Sequence, residues 1–66
     1  MNIKPTDVGK RVTVQFYEDN GERREAIGTL ERAEIGEDGP VLCIRKKDDS
    51  LVRVPLRRVR FGRVVA

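Results

Sequence analysis

The side chains of this sequence best suited to chemistry are its arginines, and they are unevenly placed. Beyond Asp49 there is no acidic residue, but there are five arginines: Arg53, Arg57, Arg58, Arg60 and Arg63. Residues 1–40 carry six basic side chains against nine acidic ones, a net −3, whereas residues 41–66 carry eight against two, a net +6. A planar guanidinium fork matches pairs of phosphate oxygens. These five arginines, with Arg45 and Lys46 across the sheet, are candidates for a nucleic-acid-facing surface whose affinity would fall steeply with salt. The same residues have a second reading, in which they lie over the acidic loops of their own domain and balance them. The modest net charge of +3 fits that reading too.

Catalytic chemistry finds little to work with. There is no histidine, and Cys43 is the sole cysteine, so neither a zinc site nor an internal disulfide can be assembled. The acidic pairs Glu37-Asp38 and Asp48-Asp49 fall in expected turns, where they are solvated and untuned. Asp48-Asp49-Ser50 is too short for a calcium loop, and the glycines are scattered singly instead of forming a phosphate-binding loop. The expectation is a non-enzymatic protein with no cofactor and no metal. Base stacking needs aromatics, and the chain offers Phe16, Tyr17 and Phe61. Phe16 suits the core, while Tyr17 and Phe61 are the candidate stacking or groove contacts. Cys43, within Val41-Leu42-Cys43-Ile44, is expected to be a small buried hydrophobe.

The elements that must position these residues read as strands. Nine valines dominate the aliphatics, and β-branched side chains fit a pleated surface. Pro5-Thr6-Asp7 opens one helical turn with Thr6 or Asp7 as its cap. From Lys10 the period is two, with Val12, Val14 and Phe16 on one face and Arg11, Thr13, Gln15 and Tyr17 on the other. Asn20-Gly21 marks a turn. A second strand runs over 24–33, where Gly28 implies a bend or the close approach of another backbone. Residues 34–40 read as an acidic loop, followed by strands over 41–46 and 51–54. Pro55 has no N–H for a ladder, so 55–58 suits a single 3₁₀ turn before a last strand over 59–64. Alternation counted from Val59 places Phe61 inside. Five short strands predict a single closed all-β barrel over 9–65, preceded by a turn over 1–8, since closure removes exposed edges.

Val8-Gly9-Lys10-Arg11-Val12-Thr13-Val14, then Gly28-Thr29-Leu30, then Val52-Arg53-Val54-Pro55-Leu56 and Val59 form a family-like pattern. It resembles the C-terminal Sm-like domain of the ribosome maturation factor RimP. It is also similar to the N-terminal SH3-like module of actinobacterial GNAT-type acetyltransferases. The resemblance implies an SH3-like or Sm-like barrel with Phe61 outside, and a groove edge near Tyr17. It also implies either docking onto a ribonucleoprotein surface or an accessory role without chemistry. The sequence therefore predicts a binding module that contacts RNA or a ribonucleoprotein through its arginine-rich C-terminal half. A protein–protein adaptor is the alternative, and a homo-oligomer joined at strand edges is a third reading. No apolar run approaches a membrane span, and the N-terminus lacks an export pattern, which together with the lone cysteine predicts a cytoplasmic protein without a membrane role.

Overall fold

The computed structural model describes residues 3–65. A 3₁₀ turn over Pro5–Asp7 leads into strands β1 (Arg11–Tyr17), β2 (Arg23–Gly36), β3 (Gly39–Arg45) and β4 (Leu51–Pro55). A second 3₁₀ turn, Leu56–Arg58, precedes β5 (Val59–Val64). All neighbouring strands pair antiparallel, in the order β4-β3-β2-β1-β5.

The long strand β2 serves both halves of the sheet. Arg23 to Thr29 pair with Tyr17 to Arg11 of β1, and Thr29 to Gly36 pair with Arg45 to Gly39 of β3. The changeover needs Gly28. A Cβ there would lie 2.2 Å from the Arg45 carbonyl oxygen, so backbone occupies the space a side chain would take. Alternation then buries Val12, Val14 and Phe16 of β1, Ala26 and Leu30 of β2, Leu42 and Ile44 of β3 and Val54 of β4 in one core, with Ile3 joining from the N-terminal segment. Val52, Leu56, Val59 and Val64 pack against it, half-buried.

The expected SH3-like or Sm-like barrel is not what forms. β4 and β5 are the two outer strands of an open sheet, and among the described residues no ladder joins them. The local reason is visible in the chain: β4 is a five-residue strand ending at Pro55, which cannot donate to a ladder, and the Leu56–Arg58 turn carries β5 to the far side of β1. The expected acidic loop over 34–40 is also corrected. Glu34, Ile35 and Gly36 extend β2, Gly39 and Pro40 begin β3, and the connection shrinks to Glu37-Asp38. Gly39 makes so short a turn feasible at a φ of 108°.

The first 3₁₀ turn is held by Asp7 from its end. The Lys4 backbone N–H donates to Asp7 Oδ2 at 2.8 Å, and Lys10 Nζ to Oδ1 at 3.1 Å, so Asp7 and not Thr6 does the capping. These two donors hold the Asp7 carboxyl below its ordinary range.

Candidate functional site

The seven basic residues singled out from the sequence divide in two: among the described residues Arg45, Arg53, Arg57 and Arg58 form ion pairs, and Lys46, Arg60 and Arg63 form none. Arg45 forks onto Glu31, with Nη2 at 2.9 and 3.0 Å from the two carboxylate oxygens, and its Nη1 donates to the Asp49 carbonyl. Glu31 is aimed there by an irregularity in β2 between Leu30 and Arg32, which leaves it without a partner in the ladder. Arg53 donates to Glu34 at 2.6 Å, Arg57 to Asp38 at 3.3 Å, and Arg58 pairs with Asp19. Four C-terminal arginines thus face carboxylates from the acidic half of the chain. The Arg58–Asp19 pair lies in a shallow cleft of about 390 Å³ that also includes Tyr17 and Arg53.

Cys43 lies beneath part of this network. It stands between Arg32 of β2 and Arg53 of β4, and Glu34 bridges those two guanidinium groups. The thiol is fully buried on the face opposite the core, and burial with the nearby Glu34 charge pushes its pKa up.

Arg60 and Arg63 lie on β5, the outer strand at the opposite edge of the sheet from β4. β5 pairs Val59 with Phe16 and Phe61 with Gln15, so two steps along β5 match one along β1, and Arg60 is the extra residue. This bulge resets the alternation. Gly62 turns inward and is buried, whereas Phe61 faces outward, 43% exposed. Phe61 is thus on the outside, against the simple count from Val59. Arg60 reaches the same face, its Nη1 donating to Gln15 Oε1 at 3.3 Å, and the Gln15 amide donates in turn to Glu25 at 3.4 Å.

The register lays out this outer face in rows. Phe61, Gln15 and Glu25 form one; Arg63, Thr13 and Ile27 form the next; Arg11, Thr29 and the ion-paired Arg45 form a third, and Tyr17 stands opposite Arg23. Tyr17 and Ile27 are 40% and 45% exposed. Among the described residues, Arg11, Arg23, Arg60 and Arg63 form no ion pair, and Glu25 is the one carboxylate in these rows. Exposed aromatic and aliphatic side chains interleaved with unpaired guanidinium groups suit a ligand that has both anionic charge and flat apolar surface. Lys46 sits apart, in the turn between β3 and β4.

Sequence reasoning missed Arg11, Arg23 and Ile27. The period-two pattern already places Arg11 with Tyr17, but counting charge along the chain assigns Arg11 and Arg23 to the acidic half. Among the described residues no three His, Cys, Asp or Glu side chains are grouped to hold a metal ion, and no helix is long and apolar enough to cross a membrane. Comparison with known proteins finds no matching family model, no similar curated protein and no similar solved structure. The open sheet overturns the resemblance to the barrels of RimP and of the acetyltransferase modules.

Proposed function

We propose that this protein is a non-catalytic binding module whose ligand is single-stranded RNA, held on the outer face of β5, β1 and β2. The observation that carries this reading is the separation of the arginines into two sets. Arg45, Arg53, Arg57 and Arg58 face carboxylates of their own chain, whereas Arg11, Arg23, Arg60 and Arg63 surround exposed Phe61, Tyr17 and Ile27 without an ion-pair partner among the described residues. Guanidinium groups attract the phosphate backbone, and the aromatic rings offer platforms for unpaired bases. A duplex hides its base faces in the stack and gains only the first of these contributions. Phe61 and Tyr17 are near-diagonal neighbours across β5 and β1, a relation that spans on the order of 7–8 Å and suits bases splayed along the sheet.

The test is a titration of ¹⁵N-labelled protein with a short single-stranded RNA at low salt. Amide shifts should concentrate at residues 11–17, 23–29 and 60–63, and recede as salt is raised. Unchanged spectra at low salt contradict the proposal, as do shifts confined to the Arg53–Arg58 segment.

A further inference from the structure

A second surface, on the core side of the β2–β3 hairpin, combines an apolar groove with an apolar projection. The groove has a volume of about 460 Å³ and is lined by Ile3, Pro5, Val8, Ala33, Pro40 and Leu56 among others. Val8 is 49% exposed there. Beside it stands Ile35, 86% exposed. Ile35 is paired with Pro40, two residues beyond the Ala33–Leu42 pair, so alternation gives it the same face as the groove. An aliphatic side chain this exposed next to an apolar groove marks an interaction surface.

Charge specifies the occupant. Lys4 and Arg32 are the charged residues that line the groove, and Arg32 is committed to Glu31 and Glu34. Lys4 has no side-chain ion pair among the described residues. At the hairpin tip, two residues past Ile35, Glu37 likewise has none, while its neighbour Asp38 is held by Arg57. The hairpin end therefore presents a projecting isoleucine two residues from an unpaired carboxylate, and the groove is lined by an unpaired ammonium group. A projection and its complementary groove on one patch are what an isologous two-fold contact requires, since each copy offers both parts.

We infer that the protein forms a two-fold homodimer in which Ile35 of each copy fills the groove of the other and Glu37 faces Lys4 across the interface. The dimer leaves the outer face of β5, β1 and β2 free, and it does not depend on RNA binding.

Sedimentation equilibrium over a range of concentrations tests the inference. The expected result is a reversible monomer–dimer equilibrium that Ile35→Glu abolishes with an unchanged circular dichroism spectrum, as befits a residue with little native packing. Lys4→Glu and Glu37→Lys should each weaken dimerisation by about fivefold through like-charge contact, and the double variant should recover most of that loss. A monomer at every concentration overturns the inference. So does a dimer indifferent to Ile35→Glu, a double variant no better than the single ones, or a mass growing past two chains.

Discussion

Phe61 stands opposite Gln15, whereas Val59, two residues earlier, stands opposite Phe16, the very next residue of β1. That single slip decides the character of the outer face. It keeps Val59 against the core, turns Gly62 inward, and places Arg60, Phe61 and Arg63 together on the solvent side.

Because Phe61 and Tyr17 are each more than a third exposed, their truncation should separate binding from stability. Phe61→Ala and Tyr17→Ala are expected to weaken single-stranded RNA binding by about 1–3 kcal/mol each, roughly 5- to 150-fold. Fluorescence anisotropy measures the affinity, and thermal melts should show far smaller losses than a core truncation such as Leu30→Ala, expected to cost about 2–5 kcal/mol.

Gly28 gives the most severe single-atom prediction. Adding one methyl group places it within 2.2 Å of the Arg45 carbonyl, which is backbone and cannot rotate away. Gly28→Ala should cost about 3 kcal/mol or more, enough to leave a domain this small largely unfolded. Urea denaturation checks it; a variant of wild-type stability would show that β2 and β3 can separate at this point without loss.

Cys43 should be unreactive in the folded protein, and its thiolate disfavoured. The folded-state pKa is raised, so the thiol contributes stability below its ordinary range near 9.0 that is lost as pH rises above that range. Melting temperatures should therefore fall more steeply above about pH 9 for the wild type than for Cys43→Ala. A thiol-specific reagent should label Cys43 at the rate of unfolding. Rapid labelling under native conditions would place the thiol outside the Arg32–Glu34–Arg53 cover.

The acid side of the stability curve belongs in part to Asp7. Its pKa is lowered in the fold, first by the Lys4 backbone N–H and then by Lys10. A carboxylate of this kind stabilises the protein above its ordinary range and ceases to do so as pH falls through the lowered value. Asp7→Asn should be less stable than wild type at neutral pH, with the difference shrinking as pH falls below 4. A constant difference would assign the effect to packing instead of charge.

The local elements are readable from the sequence, and the relations between them are less so. Period-two alternation gives the inward set Val12, Val14 and Phe16, and Pro55 predicts the turn over Leu56–Arg58. Gly28 announces the close backbone approach that the Arg45 carbonyl makes. Closure is not legible, because alternation says which face a strand buries but not whether the last strand meets the fourth. The acidic stretch from Glu34 reads as a loop because its composition outweighs the strand that Ile35 and Gly36 continue. The charge asymmetry is real, but a count along the chain cannot see that Glu31 and Glu34 lie across from Arg45 and Arg53. Cross-strand register divides the basic half into arginines that are ion-paired and arginines that are free.

The central claim, that the unpaired arginines and not the paired ones hold RNA, is tested most directly by two matched triple variants. One carries Arg11→Gln, Arg60→Gln and Arg63→Gln; the other carries Arg53→Gln, Arg57→Gln and Arg58→Gln. Both remove the same charge, and affinity for a single-stranded RNA is measured against salt for each. The first set should weaken binding at least tenfold and flatten the plot of log affinity against log salt by about 2, since each phosphate no longer neutralised accounts for about 0.7. The second should leave that slope near the wild-type value. Equal losses in both, or a larger loss in the second, would contradict the account.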